Sequence, residues 1–315
     1  MYFISELMNV FNIDNINDLD AKTVVTVGMF DGLHLGHRHL VARLMAIASG
    51  QNLVPIVVTF DRHPRQVLDP ANPMSLLSTC DERLALLESC GVPNVAMVHF
   101  DVATASLSAC DFARRYLCEK LNMSVLLLGY DNMFGSRANN DFERLPDLAT
   151  ERGFSICRDE AVMLDGVGVS STKIRKALQT GNLALANAML GAPYSATGTV
   201  VHGRHVGTSL GFPTANIRLS DSAKILPADG VYALRTSVDG TAYAAMANLG
   251  AQPTFHQQHK ELEVNLIDFD GDLYGRQLSV EFLERIRDIR PFASPDELVL
   301  QLRHDRETVI SIVNK

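Results

Sequence analysis

Several signatures of common protein classes are missing from this chain. Its five cysteines (Cys80, Cys90, Cys110, Cys118 and Cys157) are odd in number and form no Cys-x-x-Cys. That pattern excludes a disulfide framework and a cysteine zinc site, and reads as buried thiols in a reducing cytoplasm. No apolar run approaches the roughly 20 residues of a membrane helix. Met1 to Asp20 is acidic and lacks both a basic flank and a long apolar core, so no secretory leader is expected. Positive charge is also scarce: 28 Lys and Arg stand against 36 Asp and Glu, a net charge of −8. This argues against a nucleic-acid surface while leaving room for local cationic pockets. Neither a P-loop pattern nor a strand followed by Gly-x-Gly-x-x-Gly occurs, and no internal repeat or low-complexity tract is visible.

With 315 residues, the chain is long enough for two domains with separate cores. Its first half is organised around Val27-Gly28-Met29-Phe30-Asp31-Gly32-Leu33-His34-Leu35-Gly36-His37. A β-branched run, Thr23 to Val27, precedes this stretch and predicts a buried strand. Leu40, Val41, Leu44, Met45 and Ala48 follow at helical spacing, with Gly50 as the expected stop. A Gly-rich turn between strand and helix offers unpaired backbone N–H groups and a favourable dipole to a phosphate. The backbone of Gly28, Met29, Phe30 and Asp31 and the small Gly36, between His34 and His37, therefore form a candidate nucleotide site.

Further strand–helix alternation, through Leu53 to Phe60, Thr79 to Cys90, Val95 to Phe100, Ser108 to Leu121 and Val125 to Leu128, predicts a parallel sheet. Ligands are then expected at the carboxyl ends of its strands. Two more polar loops fall there, one with Asp61 and His63 and one with Asp131. Ser170 or Ser171 reads as the N-cap of a later helix, and Ser170, Ser171, Thr172, Lys173 and Arg175 give its start hydroxyls and cations suited to polyphosphate.

Beyond Leu190-Gly191 the pattern changes to short alternating strands separated by Gly and Asp-Gly turns, which predicts an antiparallel barrel or sandwich. A last helix is expected from Ser294, with Pro295 at N1 and Glu297 closing a capping box. Within this half, Gly203 to Asn216 combines a Gly-rich loop, including Gly207, Leu210, Gly211, Phe212 and Pro213, with Thr214 and Asn216. The loop offers backbone donors to phosphates, and Thr214 and Asn216 offer hard oxygen ligands of the kind Mg²⁺ accepts beside them.

The pair of His34-Leu35-Gly36-His37 and Val169-Ser170-Ser171-Thr172-Lys173-Ile174-Arg175 resembles the His-x-Gly-His nucleotidylyltransferases. Gly211-Phe212-Pro213-Thr214-Ala215-Asn216 resembles the hallmark of bacterial riboflavin kinases. Leu226 to Tyr232, Asn248 to Phe255, Leu262-Glu263-Val264 and Leu273-Tyr274-Gly275 continue that pattern. End to end, the chain is similar to the bacterial bifunctional riboflavin kinase/FMN adenylyltransferases.

The resemblance implies an α/β plus β architecture. Residues 1–190 would form a Rossmann-like adenylyltransferase domain, and residues 191–315 a small antiparallel β-barrel kinase domain with a C-terminal helix. It implies ATP and Mg²⁺ as co-substrate and cofactor, riboflavin, FMN and FAD as ligands, no nucleic-acid or membrane partner, and leaves homo-oligomerisation open. Thr214 and Asn216 match the family's Mg²⁺–ATP positions and Glu263 its base. Arg287 matches a residue near the flavin. His34, His37, Ser171, Thr172 and Arg175 would stabilise charge during adenylyl transfer, with Asp61, His63 and Asp131 near nucleotide and flavin. The chain departs from the family at Asp61-Arg62-His63-Pro64, where Glu-Pro-His-Pro or Asp-Pro-His-Pro is common, and at Val206, Thr208 and Asn139-Asn140. Two other readings stay open on residues alone: an adenylyltransferase with a degenerate kinase barrel, and a flavin- or RNA-binding regulator.

Overall fold

The computed structural model describes residues 8–16, 18–72, 74–130, 133–136, 141–203, 211–250 and 261–314. Its contacts divide the chain into two units. One comprises Met1–Met74 and Cys80–Ser170, the other Ser75–Thr79 and Ser171–Lys315.

The first unit contains β1 (Asn9–Asn12), β2 (Thr23–Val27), α1 (Leu35–Gln51), β3 (Val54–Phe60), α2 (Pro64–Leu68), α3 (Cys80–Ser89), β4 (Asn94–Val98), α4 (Val102–Ser106), α5 (Ala109–Phe112), β5 (Met123–Leu128), α6 (Leu145–Arg152), β6 (Ser155–Arg158) and the hairpin β7 (Met163–Leu164) and β8 (Val167–Gly168). Six strands form a wholly parallel sheet in the order β1-β4-β3-β2-β5-β6. The wholly buried β2 lies between β3 and β5, so the strand order reverses there and opens a crevice at its carboxyl end.

Alternation along the strands supplies two cores, one on each face. Val25 and Val27 pack with Phe112, Tyr116 and Leu117 on one side. Val24 packs with Leu40, Val41 and Leu44 of α1 and Leu84 and Leu87 of α3 on the other.

Two local expectations need correction. α1 does not stop at Gly50 but runs to Gln51, where Asn52 adopts the left-handed conformation and donates its N–H to the Ala48 carbonyl. The segment expected as one α-helix from Ser108 is α-helical only to Phe112 and π-helical over Ala113–Lys120. Its wider turn brings Ala113, Tyr116 and Leu117 against the sheet together.

The second unit contains α7 (Ser171–Gln179), α8 (Leu183–Leu190), β9 (Tyr194–Val201), β10 (Ala215–Leu219), β11 (Gly230–Val238), β12 (Thr241–Leu249), β13 (Glu261–Leu266), β14 (Gln277–Arg287) and α9 (Pro295–Val313). Its six strands close into an antiparallel barrel, β10-β13-β12-β11-β14-β9, which settles the choice between barrel and sandwich. Asp239 and Gly240, both at positive φ, make the tight turn between β11 and β12. Ser294 caps α9 as expected, accepting from the Glu297 N–H, while the Glu297 carboxylate reaches back to the Ala293 N–H. Val309 and Leu302 of α9 cover Val231, Ala233 and Met246 on the barrel's outer face.

The helices before the barrel are tied to it by backbone. Asn187 of α8 donates to the Phe282 carbonyl at 2.9 Å and accepts from the Tyr194 N–H at 2.8 Å. The Ala228 N–H donates to the Leu178 carbonyl of α7. Segment Ser75–Thr79 adds a parallel bridge, with Leu76 exchanging hydrogen bonds with Ala223 and Ile225. The buried Lys224 donates to the Leu77 carbonyl at 2.6 Å and lies over the Tyr194 ring. A Lys224→Met replacement removes that charge-assisted hydrogen bond from the interior, so unfolding free energy should fall by about 2 kcal/mol, read as a lower denaturant midpoint for the second unit.

Candidate active sites

The turn after β2 is folded by three positive-φ positions within four residues, Phe30, Gly32 and Leu33. Two of these carry side chains, and such strain persists only where packing holds it. Both Phe30 and Leu33 are buried in the core shared with α1. His34 then caps α1, its Nδ1 accepting from the His37 N–H at 3.4 Å. With Nδ1 accepting, the neutral His34 ring carries its proton on Nε2, the outer nitrogen.

The two imidazoles stack at 3.7 Å with planes 16° apart, and Phe30 lies against His37 with ring centroids 5.2 Å apart. Gly36 makes this stack feasible. A Cβ there would sit 3.2 Å from the His34 ring. Burial, and secondarily His34, hold the His37 pKa well below that of an ordinary imidazole. Gly28 to Asp31, His34, Gly36 and His37 thus converge on one helix N-terminus. This arrangement can receive a phosphate with backbone and imidazole donors.

The neighbouring loop after β3 is organised by its own side chains. The Asp61 carboxylate accepts from the Phe100 N–H at 2.9 Å and approaches His99 Nδ1 at 2.6 Å. His63 caps α2 by accepting from the Arg65 N–H, and Gln66 completes the capping box. His99 is a polar partner that the sequence reading missed, because the run from Val95 to Phe100 was taken wholly as strand while the strand ends at Val98. Asp131, Gly207 and Leu210, with Val206, Thr208, Asn139 and Asn140, lie outside the described residues.

Ser170 closes the first unit, while Ser171, Thr172 and Lys173 form the first turn of α7 in the second, with Arg175 buried two residues further on. The phosphate-binding candidates are therefore distributed over two units.

Barrel register assembles the kinase candidates. Directly opposed residues of paired strands share a face, and one row runs across five strands: Asn216 of β10, Glu263 of β13, Asn248 of β12, Val231 of β11 and Arg287 of β14. The alternate residues Ile217, Leu262 and Val264 are fully buried, so the row faces outward. Thr214, just before β10, donates its hydroxyl to Glu263 Oε1 at 2.7 Å. Gly203 lies so close to Asn216 that a Cβ would overlap its carboxamide at 1.9 Å. Phe212 packs into the α9 cluster and Gly211 takes a positive φ. The Pro213 carbonyl is held at 2.7 Å by the buried Asn265.

Asn248 and Asn265 are further polar residues beside this row; Asn248 fell within a quoted motif without a role. A cavity of about 220 Å³ adjoins Thr214, walled by Val200, Pro213, Leu266, Phe269 and Tyr274. Arg287 forms a two-pronged ion pair with Asp305 of α9.

A parallel sheet whose His-x-Gly-His turn meets a helix N-terminus, joined to a closed barrel bearing Thr, Asn and Glu oxygens beside a cavity, defines a two-site nucleotide-dependent transferase. Comparison with known proteins makes this specific. The family model described as FAD synthetase matches residues 16–173, and that described as riboflavin kinase matches residues 190–313. The chain is 35% identical to the bifunctional riboflavin kinase/FMN adenylyltransferase of Bacillus subtilis, over 94% of each chain. It is 37% identical to the protein of that name in Escherichia coli K12, over 90% of this chain and 91% of that one.

A solved Streptococcus pneumoniae structure described as a macrolide-efflux protein superposes with a TM-score of 0.85 at 34% identity, over 96% of this chain and 98% of that one. Among the described residues here, no helix is long and apolar enough to cross a membrane. The chain belongs to the bifunctional riboflavin kinase/FMN adenylyltransferase family.

The depressed His37 pKa has a direct consequence. Unfolding restores the ordinary pKa near 6.5, so below that pH the unfolded chain binds a proton that the fold resists. Stability should fall as pH drops from about 6.5, and His37→Asn should flatten that decline in urea titrations at successive pH values. In Gly36→Ala the added methyl should displace the His34 ring and slow adenylyl transfer at least tenfold, measured as FAD formed from FMN and ATP.

Proposed function

We propose that the chain makes FAD in two steps, with residues 191–315 as the catalytic module that phosphorylates riboflavin and residues 1–190 as the module that adenylylates the resulting FMN. The observation that carries the kinase assignment is the Thr214–Glu263 hydrogen bond within a row that also holds Asn216. Thr214 spends its proton on Oε1, which leaves its oxygen lone pairs and the Asn216 carboxamide to face a cation, while Oε2 can accept from a substrate hydroxyl. This hard, oxygen-only donor set fits Mg²⁺. Among the described residues no cluster of three His, Cys, Asp or Glu could hold a metal. When bound there, Mg²⁺ would neutralise charge on the ATP phosphates.

The cavity beside Thr214 takes the nucleotide; its lining is mixed, with Asp270 and Asp272 beside Phe269 and Tyr274, whose rings suit the base. Glu263 accepts the proton of the riboflavin 5′-hydroxyl as that oxygen bonds to the γ-phosphorus and ADP departs. Arg287, three strands from Glu263 along the same row, borders the flavin ring. At about 4.8 Å per strand the span is at most about 14 Å.

Adenylyl transfer needs no base, because the FMN phosphate is already an anion. Its oxygen bonds to the α-phosphorus of ATP and pyrophosphate leaves. The helix N-terminus at His34 to His37 supplies donors to the phosphates, and Ser170, Ser171, Thr172, Lys173 and Arg175 supply hydroxyls and positive charge. Asp61, His63 and Asp131 serve the flavin side. The five free thiols suit a reducing, cytoplasmic setting.

The test is a chromatographic time course with riboflavin, ATP and Mg²⁺. The wild-type chain should yield FMN and then FAD. Glu263→Gln should slow FMN formation by about 100-fold or more while FAD still forms from added FMN. His34→Ala with His37→Ala should do the reverse. Unaltered kinase activity in Glu263→Gln would refute its role, and a wild-type chain that converts FMN but not riboflavin would mark the barrel as degenerate.

A further inference from the structure

Asp305 sits in the middle of α9, 2% exposed, a costly place for a carboxylate unless it is fully engaged. Arg287 engages it side-on, Nε lying 3.0 and 2.9 Å from its two oxygens and Nη2 2.7 Å from Oδ2. Gln301, one turn earlier on α9, donates to Oδ1 at 2.7 Å and accepts from Arg290 at 2.8 Å. Arg287 Nη1 donates to the Asp288 carbonyl at 3.0 Å. Arg287 and Arg290 both lie over the Phe292 ring, at 5.8 and 5.1 Å.

A guanidinium has five N–H bonds in one plane. These contacts use Nε–H and one N–H from each terminal nitrogen, which leaves one N–H on Nη1 and one on Nη2. The carboxylate therefore fixes the plane of Arg287 and the edge it presents. It also cancels the charge, so that edge is a pair of neutral-context donors matched to carbonyl oxygens more than to a phosphate dianion. β14 contributes as well: Val231 opposes Arg287 and Tyr232 opposes Arg285, which makes Ile286 the extra residue of a β-bulge. Bulges of this kind re-aim the side chain beside them.

We propose that Asp305 is a positioning residue of the kinase site, acting from the C-terminal helix through Arg287 to favour uncharged riboflavin as the acceptor. This rests on the reading that Arg287 borders the flavin. Asp305 touches no substrate. It decides which edge of Arg287 does, and with what net charge.

The experiment measures riboflavin KM and kcat in the full chain for Asp305→Asn, Arg287→Ala and the double variant, with thermal melting of each. Asp305→Asn keeps the shape and removes the charge. It should raise the riboflavin KM about tenfold with kcat changed less than threefold, and FMN should become a stronger product inhibitor. The double variant should be no worse than Arg287→Ala alone, since Asp305 acts only through Arg287. A lowered melting temperature with unchanged KM, or additive losses in the double variant, would overturn the proposal. An unchanged riboflavin KM in Arg287→Ala would instead overturn the flavin reading of Arg287. Should Asp305→Asn fail to fold, Gln301→Ala removes one restraint on the same carboxylate and should raise KM about threefold; no rise would count against the proposal.

Discussion

Closure of the barrel in one register is the constraint on which the kinase chemistry depends. Side chains alternate between faces with period two, so a slip of one residue in β13 would turn Glu263 inward and expose Leu262 and Val264. Those two residues are fully buried, as is Ile217 opposite Leu262. Their burial fixes the register, and the register carries Asn216, Glu263, Asn248 and Arg287 to the outer surface as a row. The proposed catalytic arrangement is thus the polar complement of the hydrophobic one. It also explains how residues from four strands, far apart in sequence, form one site without a shared loop.

The two units address charge by different means. In the parallel sheet, the site is a chain reversal at a helix end, built from backbone, a capping imidazole and strained but buried Phe30 and Leu33. Its donors are in place before any ligand arrives. In the barrel, the candidate donors are side-chain oxygens, on an outside wall that α9 covers in part, at Val231, Ala233 and Met246.

Much of this was legible in the sequence because local signals and long-range packing agree. Val24 to Val27 could be little other than a buried strand, and Ser294-Pro295-Asp296-Glu297 states a helix start in full. The Gly-Phe-Pro-Thr-Ala-Asn run singled out the candidate kinase residues through resemblance, but it hid a strand: β10 begins at Ala215, and its short length and alternating polar residues gave no independent signal. Asn52 displaced Gly50 as the end of α1 because asparagine tolerates the left-handed conformation and Ala48 offered the carbonyl. His99, Asn265 and Asp305 were invisible for another reason. Each acquires its meaning from a partner 38, 52 or 18 positions away in the chain, and a single sequence carries no record of such pairings.

The chain's path through Ser75–Thr79 bears on how the protein comes off the ribosome. The strands of the parallel sheet all lie within residues 9–158 and emerge before the barrel. Within Ser75–Thr79, however, Leu76 pairs with Ala223 and Ile225, and Leu77 waits for a lysine 147 positions downstream. At translation speeds of about 5–20 residues per second that delay is roughly 7–30 s. Through that interval the first unit carries an open loop holding Leu76 and Leu77, apolar residues that will be buried later. The second unit's completion is therefore also the closing event for a segment synthesised near the start, and the nascent enzyme passes through a half-finished stage in which a chaperone has a defined stretch to guard.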